Sequence, residues 1–319
     1  MKTFFQIKNN ALIEGGPDQA DVAVYTIPDN GEKQELLDTL GHDAHDLESA
    51  LDPDEISRIE INPDDTYIIW KRPNNVSYEQ HLKFEVSSVG LFIKGNRMTV
   101  ILGDASPAFR GKEFQKIEST NNLLLKFFLQ TIHHYLGHLK VIKQLTAEIQ
   151  TKLNLSMENR YLIQMFVLSE SLVYYLNAIE ANSAVLAKLR ASAPKISFTQ
   201  EEMEMLDDII IEHQQCERQT QIYSSVMAGL MDARGAIINN NMNVLLKNLT
   251  IINVVFLPLN LIAGIGGMSE FSMMTQGIDW KISYFLFVGM MAVFGWILWI
   301  RLARLNRPSQ SMSLRKKSG

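Results

Sequence analysis

Two stretches near the end of this chain contain no charged residue. Leu249–Gly267 reads LTIINVVFLPLNLIAGIGG and Ile282–Ile300 reads ISYFLFVGMMAVFGWILWI, each 19 residues long. About 20 apolar residues cross the hydrocarbon core of a bilayer as a helix. The pair therefore predicts two transmembrane helices, 249–267 and 282–300, joined by an extracytoplasmic loop over 268–281. Two buried core helices are the alternative. Against it, the second stretch is apolar on every face and the tail behind it is basic.

Charge sets the orientation. Residues 1–250 hold 33 acids and 23 bases, whereas residues 251–319 hold two acids and seven bases. Six of those seven bases follow Ile300, and 268–281 contains only Lys281. Basic flanks stay on the cytoplasmic side, which predicts a cytoplasmic tail over 301–319 and a cytoplasmic body before residue 249. Both termini then lie in the cytoplasm, and the chain is a multi-pass protein of a bacterial-type inner (plasma) membrane. The start, MKTFFQIKNNALIEGG, lacks the apolar run of a secretory signal. The single cysteine, Cys216, excludes an intrachain disulfide. Trp280, Trp296 and Trp299 lie near the ends of the second span, where interfacial aromatics belong.

Thr199 followed by Glu202 is a capping-box pattern at a helix start. From Gln200 there is no proline before Pro258. A helix unbroken to Ile265 would be roughly 100 Å long at 1.5 Å per residue, so a stalk over 199–248 is expected to run on into the first span. Along it Asn243, Leu246, Thr250, Asn253, Leu257, Asn260 and Gly264 recur three and four apart, on one seam. Asn253 and Asn260 are the only strongly polar side chains of that span, and an amide facing lipid is costly. Several copies around an axis would make rings of amide oxygens, suited to a hydrated cation, alternating with leucine rings that can close a pore by dewetting. The same amides could instead bond neighbouring helices together. With two spans per chain, a pore needs several subunits. Gly264, Gly266 and Gly267 follow a span rather than a strand and match no phosphate-binding pattern.

Upstream, 113–198 reads as a helical hairpin turning near 154–156. Residues 1–112 read as a small α/β unit with strand-like runs DVAVYTI, TYIIW, VGLFIKG and RMTVILG and a short helix at HDLESALDP. The fold class is an α+β membrane protein: an α/β unit, a long helical hairpin, a stalk helix and two C-terminal transmembrane helices. His134 and His138 have the i,i+4 spacing seen in zinc sites, with His133 beside them, although a solvated or packed helix surface is the commoner cause. His42 and His45 are expected on an exposed turn. No Ser–His–Asp, Cys–His or paired-carboxylate spacing asks for catalysis, so neither enzyme activity nor a cofactor is expected. The acidic balance argues against nucleic acid and for cations as partners.

The stretch NVLLKNLTIINVVFLPLNLIAGIGGM resembles, without a gap, the pore helix of the CorA divalent-cation transporters, which reads N-x-x-M-K-x-L-T-I-I-x-x-x-F-x-P-L-x-x-I-A-G-I-Y-G-M-N. HDLESALDPDEISRIEINPDDTYIIW and GLMDARGAIINNNMN are similar to other segments of that family. The resemblance implies a funnel-shaped homopentamer with the first spans around a central pore and the second spans outside. It also implies pore-facing roles for Asn243, Leu246, Leu249, Leu257, Asn260 and Gly264, of which only Leu249 falls off the seam, by one residue. Arg315, Lys316 and Lys317 look like the family's basic collar.

The selectivity motif departs from the family. Gly267–Met268–Ser269 stands where Gly-Met-Asn is usual, and Gly266 stands where a Tyr is usual. Serine keeps an oxygen with less reach, and the glycine removes an aromatic brace. The family's zinc-transporting branch also varies this motif. Asp208 falls at the position of an intersubunit metal ligand, with Glu79 the nearest acid to its expected partner. The expected function is transport of zinc or magnesium, leaning slightly away from magnesium. The alternative is a non-conducting scaffold or metal sensor derived from the transporters.

Overall fold

Apolar residues alternating at period two build a seven-stranded sheet, and its two faces gather separate cores. The strands are β1 (Lys2–Lys8), β2 (Ala11–Glu14), β3 (Val22–Thr26), β4 (Arg58–Ile61), β5 (Asp65–Pro73), β6 (Val86–Lys94) and β7 (Arg97–Leu102). Their order is β2-β1-β3-β7-β6-β5-β4, with β3 and β7 parallel and every other pair antiparallel. The computed structural model describes residues 1–40, 44–74, 83–155 and 158–305. It divides into a unit Met1–Asp232 and a second unit from Ala233 onward.

In the first unit Tyr67, Ile69, Phe92 and Ile101 point to one face and are covered by Leu36 of α1 (Asn30–Leu40) and Leu47 and Ala50 of α2 (Ala44–Leu51). Gly90 admits α2 closely, because a Cβ there would lie 2.5 Å from that of Ala50. The other face, with Ile68, Trp70, Leu91 and Val100, packs on α3 (Thr120–Leu155), α4 (Asn159–Ala191) and the first part of α6 (Gln200–Gly266). The α/β part and the helical hairpin therefore share one core. A four-residue α5 (Ala193–Ile196) precedes α6, and α7 (Ser269–Met274) and α8 (Trp280–Leu305) follow it.

The 67-residue α6 is one helix with Pro258 inside it. Its start forms as the capping box predicts: the Thr199 N–H donates to Glu202 Oε2 (2.9 Å) and the Glu202 N–H to Thr199 Oγ1 (3.2 Å). Glu202 Oε1 also accepts the Ser119 hydroxyl, whose oxygen in turn accepts the Asn122 N–H at the head of α3. Two helix starts are thereby tied through one carboxylate.

The strand-like runs read from the sequence lie on β3, β5, β6 and β7, and α2 overlaps HDLESALDP, beginning one residue before it. Strands β1, β2 and β4 and helix α1 come in addition. β1 and β2 are half-exposed and sit at one edge of the sheet, β4 has four residues, and α1 has one fully buried leucine, so none carries a strong apolar period. His45 lies exposed on α2 rather than on a turn, and His42 lies outside the described residues.

Because β4 begins only at Arg58, paired with Ile69, the end of β5 beyond Ile69 has no β4 residue beside it. Asn182 of α4, fully buried, fills that place: its Nδ2 donates to the Lys71 carbonyl (2.8 Å), and its Oδ1 accepts the Lys71 N–H (3.0 Å) and the Ser57 hydroxyl (2.8 Å). Asn182→Leu leaves those backbone groups buried and unpaired, at about 1–3 kcal/mol for each such group. The variant is expected to lower the denaturant midpoint of the full chain strongly, and a midpoint within error of the wild type would refute this account of the sheet edge.

Candidate ion pathway and pore mouth

Among the described residues three helices, α4, α6 and α8, are long and apolar enough to cross a membrane. The apolar window of α4 is 39% buried within the protein, whereas those of α6 and α8 are left almost entirely uncovered by the rest of the chain. In the second unit α6 is covered at Ile251, Val255, Pro258, Leu259, Ile262 and Gly266. The matching stripe on α8 is Ser283, Phe287, Met291, Gly295, Leu298 and Leu302, again three and four apart. The two stripes meet at small residues. A Cβ on Gly295 would lie 3.2 Å from Leu259 Cδ1, and one on Gly266 would lie 2.4 Å from Phe287 Cζ.

Leu246, Thr250, Asn253, Leu257, Asn260 and Gly264 stand on the other side of α6, all exposed within the chain. At about 100° per residue this seam lies roughly 180° from the stripe that meets α8. Asn243, at the head of the seam, and Leu249, one residue off it, are exposed too. Thr250 bonds its own helix, its hydroxyl donating to the Leu246 carbonyl (2.8 Å). Among the described residues no hydrogen bond ends on the Asn243, Asn253 or Asn260 side chains.

At the end of α6 the Gly267 N–H donates to the carbonyls of Ala263 (3.1 Å) and Gly264 (3.2 Å), and the Met268 N–H to that of Ile265 (3.2 Å). Met268 is extended and opens α7, and the Ser269 hydroxyl donates to Glu270 Oε2 (3.2 Å). The three motif residues thus form a tight turn between two helices, all exposed. The space at Gly266 is filled by Phe287, a contact that sequence reasoning missed. Its signal, a glycine at the end of one span and aromatics in the next, does not say which aromatic faces inward.

Of the other candidates, Asp208 is exposed on α6 in the first unit, while Glu79 and the collar residues Arg315, Lys316 and Lys317 lie outside the described residues. Among the described residues no group of three or more His, Cys, Asp or Glu is arranged to hold a metal ion. His133 Nδ1 is 2.8 Å from Glu113 and its Nε2 is 3.1 Å from Glu212. His134 and His138 touch edge to face, and His138 Nδ1 is hydrogen-bonded with the Tyr175 hydroxyl (2.6 Å). Burial, with His134 alongside, pushes His138 down to about 4. Burial and the nearby Arg72 lower His134, and burial lowers His213. His134, His138 and His213 are thus packed, neutral imidazoles.

A histidine depressed in the folded state contributes stability above its unfolded value of about 6.5, and that contribution is lost as pH falls towards the folded value. The full chain should therefore lose stability between about pH 6.5 and pH 4. His138→Phe should flatten that slope in urea unfolding followed against pH; an unchanged slope would show that His138 does not contribute to it.

The sequence profile described as CorA-like Mg2+ transporter protein matches residues 23–304. The chain is 25% identical over 280 residues to the cobalt/magnesium transport protein CorA of Methanocaldococcus jannaschii, covering 82% of this chain and 86% of that protein. The complete structure of the CorA magnesium transporter from the same organism superposes with a TM-score of 0.72 at 20% identity, over 97% of this chain and 98% of that one. The ZntB cytoplasmic domain of Vibrio parahaemolyticus superposes with a TM-score of 0.57 at 11% identity, over 76% and 97%.

Proposed function

The chain belongs to the CorA-like Mg2+ transporter family, a family of divalent-cation transporters, and on that premise we propose that five copies form a central pore lined by the α6 seam. The observation that carries this reading is the placement of Asn253 and Asn260 on the side of α6 opposite α8. One hairpin can cover one face of each helix, so the amides need cover from further copies. A ring of α6 helices turns every seam inward and leaves α8 on the lipid side.

The donors along the seam are oxygens only: the Asn243, Asn253 and Asn260 amides, the Thr250 hydroxyl and, at the mouth, Ser269. Magnesium keeps its water and is held through it, whereas zinc prefers nitrogen and sulfur ligands. The seam therefore suits a hydrated ion, and Ser269 in place of a longer amide is the feature that works against magnesium. Magnesium and zinc are the two cargo candidates, and the name of the Methanocaldococcus relative adds cobalt. In this reading the body, the basic tail and both termini are cytoplasmic, Arg315, Lys316 and Lys317 surround the pore neck, and Asp208 faces a neighbouring subunit.

Proteoliposomes holding the purified protein, with magnesium and zinc fluxes run side by side and a pH-sensitive dye inside, test the proposal. Asn260→Leu should abolish flux and leave the oligomer intact; unchanged flux would sink the pore assignment. No flux of either ion from a well-formed wild-type pentamer would favour the non-conducting scaffold, for which the altered mouth at Ser269 is the specific support.

A further inference from the structure

We propose that Phe287 of the outer helix α8 is a positioning residue for the pore mouth, its ring occupying the room left by Gly266 and so holding the Gly267–Met268–Ser269 turn in place. The role in conduction rests on the pore reading above; the role in placing the turn does not.

Gly266 is the last residue of α6. A Cβ built on it would lie 2.4, 2.8 and 2.9 Å from Cζ, Cε1 and Cε2 of Phe287, so the far edge of the ring sits against the glycine backbone. Only glycine permits this approach. The same ring meets Phe271 of α7, with centroids 5.3 Å apart and planes inclined at 56°. Gly266 and Phe271 bracket the four residues 267–270, which contain the whole motif. One side chain of the outer helix thus touches both ends of the turn.

The turn has few other supports. Its amides at Gly267 and Met268 bond back to α6, and Met268 at the head of α7 supplies no side-chain cap. The tilt of α7, and with it the direction of Ser269, therefore depends on the contact of Phe271 with Phe287. Ser269 has a single torsion between its backbone and its oxygen, so a shift of the backbone moves the oxygen with it. A longer amide could swing to compensate. The aromatic missing from α6 at position 266 is in this way supplied by α8.

Two readouts on the full-length chain in membranes test the assignment. In the first, Met268→Cys, half-exposed in the wild type, is labelled with a membrane-impermeant maleimide, and buried Cys216 leaves a low background. Phe287→Ala should change the labelling rate about threefold to tenfold, the range an aromatic contact spans, while Phe287→Tyr should keep the wild-type rate. In the second, Phe287→Ala and Gly266→Ala should each alter the magnesium-to-zinc flux ratio with the oligomer intact, and Gly266→Ala combined with Phe287→Leu should lie closer to the wild type than Gly266→Ala alone. An unchanged labelling rate in Phe287→Ala overturns the assignment, as does an unchanged flux ratio in a conducting protein. Altered labelling in a protein that conducts neither ion upholds Phe287 as the brace of the turn and removes the pore reading instead.

Discussion

Inside a bilayer a backbone amide finds no water, so a chain that crosses twice does so as helices whose hydrogen bonds close internally. The same constraint reaches the side chains. Along α6 the apolar residues tolerate any neighbour, but Asn253 and Asn260 must turn away from lipid. Helix α8 covers the stripe running from Ile251 to Gly266 and leaves the amides on the far side. The proposed assembly follows from that geometry: in it the polar seam meets other copies of the chain or a hydrated ion between them, and an axial pore would supply both.

One helix therefore serves two solvents. From Leu206 to Met227 α6 buries a stripe of Leu206, Ile209, His213, Cys216, Thr220 and Met227 against the sheet and the hairpin. Beyond Met231 little in the chain covers it until α8 meets the stripe from Ile251 to Gly266. Its start is fixed by the reciprocal Thr199–Glu202 bonds and by Ser119 at the head of α3, and the sheet beneath is held at its short edge by Asn182. The first unit thus has polar anchors where regular pairing ends, and the second relies on close contacts at Gly295 and Gly266. This division fits the chemistry of the two surroundings, because in lipid apolar burial gives no advantage and close approach of small residues takes its place.

The histidines illustrate what spacing alone leaves open. His134 and His138 stand one turn apart, as zinc ligands do, yet their neighbours are Tyr175 and Phe84, and the rings remain neutral. A metal needs a third and fourth donor converging from other elements, and convergence is a property of packing. The inner position of Phe287 was hidden for the same reason. Phe285, Phe287 and Phe294 are equivalent as letters, and only the rotation of α8 against α6 sets Phe287 on Gly266.

Sequence by itself determined the elements whose signal is local. The two uncharged stretches, the long helix from its capping box onward, the four central strand runs and the seam of Asn and Leu all follow from hydropathy, period and capping chemistry, which depend on residues a few positions apart. Tertiary structure alone decided which face of each helix is covered, how Asn182 closes the edge of β5, that the hairpin and the α/β part share a core, and which aromatic braces the mouth. Each of these joins residues distant in the chain through contact and hydrogen-bond geometry, and the order of residues carries no distance between them until the chain has folded.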